Sequence, residues 1–188
     1  LGLPSVSHPK TPLKGVDALI GSGFGESRKK DPKKDAQGEN FVPGNSYLAD
    51  ADLAAVDVKN GGKYRVALRT EGKKGGEYIQ EQAELAAQKH ERFFGYFGGP
   101  HGHLPFRTAD GDFNPTIGRK KKAEVLTPDD VSENPTLAEM ATAALTVLQK
   151  RDKGFWLMVE AGDVDWANHD NNIDTSIGAT ISGDKAVK

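Results

Sequence analysis

A six-residue run, FWLMVE at residues 155–160, is apolar up to its last residue and is followed by a cluster of carboxylates and one imidazole. Gly154 precedes the run, and Ala161 and Gly162 follow it. A continuous apolar stretch of this length between small residues predicts a strand that is buried on both faces, as in a parallel sheet. Ligands of open α/β sheets bind beyond the carboxyl ends of the strands. The charged Glu160 therefore lies where a site is expected.

The rest of the chain alternates predicted strands with predicted helices. Strands are predicted at residues 16–20, 63–68 and 93–97, and helices at residues 46–60 and 77–90. The order strand, helix, strand, helix, strand is typical of a parallel sheet with right-handed crossovers.

Two further helices are predicted on either side of the 155–160 strand. The first has Asn134 as its cap and Pro135 at its first helical position, and it runs to Lys150. The second is amphipathic, carries an isoleucine every fourth residue from Ile173, and is interrupted by glycines at 178 and 183.

Composition excludes several classes of protein. The 188 residues include no cysteine, so any metal must be bound through oxygen and nitrogen. A net charge of −2 gives no support for a nucleic-acid surface. No apolar run reaches the roughly 18 residues of a membrane span, and the first residues lack the pattern of a signal peptide. The length suits one domain or part of a larger one.

The acidic cluster contains a set of metal-ligand candidates, namely Glu160, Asp165 and His169. A carboxylate at the end of a buried strand must be paired, hydrogen-bonded or metal-bound. If a helix begins at Asp165, His169 shares its face one turn later. Taken singly, Asp165 could cap a helix and His169 could be a surface histidine. Because few cations lie nearby to neutralise the acids, the set together predicts a metal site.

Two other motifs are weaker candidates. His101 and His103 lie in a loop beyond a predicted strand, but no carboxylate accompanies them and the neighbouring glycines and proline are typical of a turn, which favours surface or packing roles. The glycine-rich segment 21–25 lacks the full spacing of a phosphate-binding loop, which favours a flexible turn.

Five segments together resemble one known family. The run KGFWLMVEAGDVDWANHDNN at residues 153–172 resembles the central metal-binding segment of the alkaline phosphatases, in which a strand ending in Val-Glu precedes an Asp by five residues and a His by nine. Four other segments of this chain resemble stretches of that family and occur in the same order as in the family. They are VDALIGSG at 16–23, FFGYFGGPHGHLP at 93–105, SENPTLAEMATAAL at 132–145 and SIGATISGDKAV at 176–187.

The resemblance implies a fold, an activity and a division of the ligands. The expected fold is a three-layer α/β/α sandwich with a mostly parallel sheet, of which residues 1–188 form the central part of a single domain, with polar excursions at about 26–45 and 107–130. The implied activity is metal-dependent hydrolysis of phosphate monoesters through a phosphoserine intermediate. Glu160 would bind Mg²⁺, while Asp165 and His169 would bind Zn²⁺.

The sequence also departs from the family pattern. No serine of the chain has the Asp-Ser-Ala/Gly context of the family's nucleophile, and the later Asp-His pair and final zinc histidine have no counterpart. We therefore expect a central fragment with weak metal affinity and negligible turnover. Alternatives are a phosphodiesterase or sulfatase of the same superfamily, or a non-catalytic metal-binding fragment. The resemblance further implies a periplasmic or secreted parent enzyme that forms a homodimer.

Overall fold

The computed structural model describes residues 15–24, 48, 50–99, 102–113, 126–152 and 154–188. Its sheet has three strands, β1 (Ala18–Ser22), β2 (Tyr64–Leu68) and β3 (Arg92–Phe97). The strand order is β1-β3-β2, and both pairings with β3 are parallel. The parallel α/β fold predicted from the alternation of elements is therefore confirmed.

Six α-helices are present in the described part of the chain. They are α1 (Asp50–Val56), α2 (Gly75–Gln88), α3 (Pro128–Ser132), α4 (Leu137–Leu148), α5 (Asp163–His169) and α6 (Ile173–Val187). The helix predicted at 46–60 is shorter, since α1 is followed by a separate 3₁₀ turn at Val58–Asn60. No described helix has both the length and the apolar character needed to cross a membrane.

Helices cover both faces of the sheet because β3 alternates its large side chains between them. Phe93 and Phe97 are fully buried on one face, where they meet apolar residues of α2 and α4. Phe94 and Tyr96 lie on the other face, in a smaller cluster with Val56 of α1. This period of two along the central strand gives the three-layer arrangement.

The start of α4 differs from the prediction. The cap is Thr136, whose hydroxyl accepts from the amide of Glu139, while the Glu139 carboxylate accepts from the amide of Thr136 at 2.7 Å. Asn134 is instead buried and ties two loops together, since it accepts from the Gly98 amide and donates to the Asp130 carbonyl, each at 2.7 Å. The predicted cap at Asn134 was wrong because its side chain is used in a tertiary contact.

The final helix also differs from the prediction, because α6 continues through both of its glycines. Gly178 lies against the backbone of residues 107 and 108, where a side-chain carbon would collide with the Arg107 carbonyl. The glycine therefore serves close packing rather than ending the helix. The isoleucine side of α6 is partly open, since Ile173 is 78% exposed.

Parts of the predicted domain organisation fall outside the described residues. The polar excursion at 26–45 lies wholly outside them. The excursion at 107–130 is described only at residues 107–113 and 126–130.

Candidate metal centre

The segment that should carry the site, residues 154–160, forms neither a helix nor a strand. Its residues and those of β1 line two cavities, whose walls also include residues of α4. A cavity of about 680 Å³ is lined by residues 16–19 and 154–158, and one of about 490 Å³ by residues 18–22 and 157–163. We call the space between residues 16–22 and 154–163 the β1 groove.

The prediction of a strand buried on both faces at Phe155–Glu160 was wrong for the described structure. Phe155 is 48% exposed, Trp156 81% and Met158 67%. An apolar strand becomes buried only when strands pair with its edges and layers cover its faces. Here the β1 groove separates the segment from the nearest strand.

Helix α5 brings Asp165 and His169 together. It begins at Asp163 with Gly162 as its cap residue, so Asp165 lies inside the first turn and does not cap the helix through its side chain. His169 follows one turn later on the same face, with its Nε2 atom 3.5 Å from Asp165 Oδ2. Both side chains are about three-quarters exposed, at 73% and 75%. A ligand from solvent can therefore reach both.

The spacing of this pair fits a tetrahedral zinc ion. Zinc binds imidazole nitrogen and carboxylate oxygen at about 2.0–2.2 Å, so two such ligands at about 109° lie about 3.4 Å apart. The 3.5 Å between His169 Nε2 and Asp165 Oδ2 matches that separation. The pair supplies two positions of a site that needs three or four ligands.

Glu160 lies three residues before the start of α5 and is not joined to the pair. A side-chain carbon at Gly162 would stand 3.7 Å from Glu160 Oε1, so the carboxylate lies over the beginning of α5. It lines the smaller cavity of the β1 groove together with Asp163 and Trp166. Within the residues described, no three His, Asp or Glu side chains are grouped closely enough to hold one ion.

His103 packs against Trp166 of α5. Its Nδ1 atom is 2.9 Å from the Leu104 carbonyl, and its ring centroid lies 4.9 Å from that of Phe106 and 5.6 Å from that of Trp166. The side chain is only 6% exposed. The packing role favoured for His103 is confirmed, whereas His101 lies outside the described residues.

A second group of charged side chains, which we call the Arg69 cluster, was not predicted from the sequence. Arg69 binds the Asp130 carboxylate at 2.9 Å and the Glu133 carboxylate at 2.9 Å. It also donates to the Gly98 carbonyl at 3.0 Å, and Glu133 accepts from the Gly72 amide at 2.7 Å. The cluster joins the segments after β2 and β3 to helix α3.

The Asp130 carboxylate is held ionised inside this cluster. Burial by itself raises the pKa, but hydrogen bonds from the Thr127 amide and hydroxyl, together with the Arg69 guanidinium, outweigh it and leave the pKa below its ordinary value. The Thr127 contacts form a capping box at the start of α3. The sequence TPDD at 127–130, a cap residue followed by Pro and acids, was the available signal for this helix.

Comparison with known proteins identifies the family. The family model for alkaline phosphatase matches residues 41–188. The membrane-bound alkaline phosphatase of Bombyx mori is 46% identical over 59 residues, covering 31% of this chain and 11% of that protein. Alkaline phosphatase 3 of Bacillus subtilis is 30% identical over 125 residues, covering 63% and 22%.

The alkaline phosphatase of Escherichia coli K12 is 28% identical over 153 residues, covering 72% of this chain and 32% of that protein. The chain thus spans less than a third of the length of each of these three relatives. The predicted resemblance is confirmed, and the chain belongs to the alkaline phosphatase family.

Proposed function

We propose that this chain supplies part of the metal centre of a phosphate monoester hydrolase, with Asp165 and His169 as zinc ligands and Glu160 as a magnesium ligand. The observation that carries the proposal is the 3.5 Å approach of His169 Nε2 to Asp165 Oδ2 on an exposed helix face. Membership of the alkaline phosphatase family supports phosphatase chemistry.

The helix α5 by itself brings the side chains of Asp165 and His169 close together. Residues four apart on a helix are neighbours, so α5 sets their separation without help from other elements. Neither Asp165 nor Glu160 forms an ion pair with a Lys or Arg of the described residues, so their negative charge is available to a cation. Binding of zinc at this position requires an unprotonated Nε2 at His169.

Zinc bound at such a site would lower the pKa of a water molecule toward neutrality and act as a Lewis acid at phosphate oxygens. The contribution of this chain would be to hold the zinc ion through Asp165 and His169 of α5 and to supply the Glu160 carboxylate for the magnesium site. Carboxylate oxygen is the ligand type that Mg²⁺ prefers, and Mg²⁺ retains several waters. The exposure of Glu160 is compatible with such a hydrated ion.

The covalent part of the reaction belongs to a residue outside this sequence. In the proposed mechanism a serine takes up the phosphoryl group, and none of the serines here has the required Asp-Ser-Ala/Gly context. The substrate class is a phosphate monoester. Export to the periplasm or the exterior, and a homodimeric parent enzyme, complete the proposal on the strength of family membership.

A calorimetric zinc titration tests the site. We expect one zinc ion to bind the unmodified chain weakly and the affinity to fall at least about tenfold in Asp165→Asn and in His169→Ala, because each removes one of two ligands. His90→Asn and Asp170→Asn are the matched controls, since they remove an imidazole and a carboxylate outside the pair. His90 has a φ of 55°, which asparagine tolerates.

Equal affinity in the four variants would contradict the ligand assignment. A separate hydrolysis assay tests the assignment of the nucleophile. With Zn²⁺ and Mg²⁺ present, the chain should not hydrolyse a chromogenic phosphate monoester. Robust hydrolysis that Asp165→Ala abolishes would show that the nucleophile is within these 188 residues.

A further inference from the structure

The segment between α1 and β2 contains the one asparagine of the sequence that is followed by glycine, Asn60. The backbone nitrogen of a following residue can attack the side-chain carbonyl carbon of an asparagine and close a five-membered ring. A following glycine has no side chain to hinder that attack. The other seven asparagines are followed by proline, which has no N–H, or by residues with larger side chains. The sequence therefore makes Asn60 the asparagine most open to this chemistry.

Solvent can reach both residues of the pair in the folded chain. Asn60 and Gly61 are exposed, and a side-chain carbon built at Gly61 would have no atom within 4 Å. Gly61 has a φ of 84°, in the left-handed region that favours glycine. The turn thus requires at position 61 the residue that also makes ring closure easiest.

Two hydrogen bonds restrain the reacting groups. The side-chain nitrogen of Asn60 donates to the Ala54 carbonyl at 3.2 Å, and the Gly61 amide donates to the Val58 carbonyl at 3.2 Å. Both distances are at the long end of the usual range for N–H···O bonds. Ring closure requires both groups to leave these partners. The opening of the 3₁₀ turn at Val58–Asn60 therefore controls the reaction.

We propose that Asn60 is a site of spontaneous deamidation whose rate is set by the opening of this 3₁₀ turn. The Gly61 nitrogen loses its proton and forms a bond to Asn60 Cγ. The Cγ–Nδ2 bond breaks, and the proton returns to the leaving group, so ammonia departs. Water then opens the succinimide ring at either carbonyl and leaves an aspartate or an isoaspartate at position 60. No oxidant or reductant takes part, and the inference does not rest on the metal assignment.

The related reaction is disfavoured at the one Asp-Gly sequence of the chain, Asp110 and Gly111. An aspartate closes the same ring by losing water, for which an ionised carboxylate is a poor electrophile. Hydrogen bonds from the Thr108 hydroxyl and the Asp112 amide hold the pKa of Asp110 below its ordinary value. The Asp110 carboxylate stays ionised, and this position serves as an internal control.

Deamidation would weaken the end of α1. Ala54 supplies one of the last carbonyls of that helix, where the helix dipole is negative. The product lacks the donor to Ala54 and places a negative charge beside it. An isoaspartate also lengthens the backbone just ahead of Gly62, which lies against the Val56 backbone without room for a side-chain carbon. Because Val56 is buried beside Tyr64, the change would reach the smaller core cluster.

Peptide mass spectrometry of the chain, aged in mildly alkaline buffer, tests the proposal. We expect residue 60 to gain about 1 Da, the difference between NH₂ and OH. Asn168, which is also exposed but precedes a histidine, should stay unmodified. In urea the rate at Asn60 should be at least about tenfold higher, because both restraining hydrogen bonds are lost. The proposal is overturned if residue 60 of the folded chain reacts no faster than Asn168, or if urea leaves its rate unchanged.

Substitutions test the control by the turn. The Asp57 carboxylate begins the turn by accepting from the Lys59 amide at 3.0 Å. Asp57→Ala should speed deamidation of the folded chain about fivefold, because a side-chain cap is lost, and should have no effect in urea. Asn60→Gln should abolish the mass change, because its six-membered ring closes more slowly. An unchanged rate in folded Asp57→Ala would contradict control by the turn.

A third substitution reproduces the product. Asn60→Asp should lower the Tm by about 2–4 °C, because one hydrogen bond to the end of α1 is lost. The aged chain should show the same shift in the fraction that has deamidated. A Tm equal to that of the unmodified chain would contradict the expected weakening of α1.

Discussion

Two groups of charged side chains differ in whether a Lys or Arg side chain accompanies their carboxylates. In the Arg69 cluster, one guanidinium contacts both Asp130 and Glu133, and all three side chains are at most 15% exposed. In the α5 pair, Asp165 and His169 are about three-quarters exposed, with no Lys or Arg paired to them in the described part of the chain. The Arg69 cluster thus links separate segments of the fold, whereas Asp165 and His169 are the side chains that we propose as metal ligands.

The apolar residues show the same contrast. Phe93 and Phe97 in β3 are 0% exposed, whereas Phe155 is 48% exposed in a run that is just as apolar. The difference lies in the partners rather than in the composition, because β3 has a strand on each side and helices on both faces.

The largest expected effect compares two phenylalanines. Phe97→Ala should lower the free energy of unfolding by about 3–5 kcal/mol, because it empties a fully buried position. Phe155→Ala should lower it by only about 0.5 kcal/mol, as is usual for partly exposed positions. Urea unfolding followed by circular dichroism measures both. Equal losses would mean that residues 154–160 are packed as tightly as β3.

A slightly smaller loss is expected in the Arg69 cluster. Arg69→Met should cost about 3 kcal/mol, because two buried carboxylates lose their cation. Lys74→Met is the control, since its pair with Glu77 is 73% and 74% exposed and should contribute nothing measurable. If Arg69→Met unfolds at the same urea concentration as the unmodified chain, the cluster is not structural.

The smallest effect is the pH dependence that Asp130 produces. Its folded pKa lies below its ordinary value, so its contribution to stability is fully present above the unfolded pKa of about 3.9. That contribution is lost as the pH falls through the folded pKa. Asp130→Asn should therefore flatten the decline in stability below about pH 4, measured by urea unfolding at several pH values. An unchanged acid limb would show that other carboxylates dominate it.

Much of the fold could be predicted because hydrophobic periodicity is a local property of the chain. The three strands and the helices α2 and α4 follow directly from it. The start of α4 could not be predicted, because Asn134 and Thr136 are both competent caps and only the contact of Asn134 with Gly98 decides between them. An apolar run such as 155–160 indicates a segment that is suited to a buried strand. The run does not indicate whether other strands pair with it and other layers cover it.

The candidate site, too, could be predicted only where its residues are close together in the sequence. The i, i+4 spacing of Asp165 and His169 was readable from the sequence, and α5 brings the two side chains together as that spacing requires. The Arg69 cluster was not readable, since Arg69 and Asp130 are 61 residues apart in sequence and meet only through the tertiary fold.

The central claim is that Asp165 and His169 bind the metal. It is tested most directly by anomalous diffraction at the zinc edge from crystals of this chain grown with Zn²⁺. The prediction is an anomalous peak about 2.0–2.2 Å from both His169 Nε2 and an Asp165 carboxylate oxygen, with none in the Arg69 cluster. A peak within the Arg69 cluster, or zinc bound elsewhere with the α5 pair empty, would contradict it.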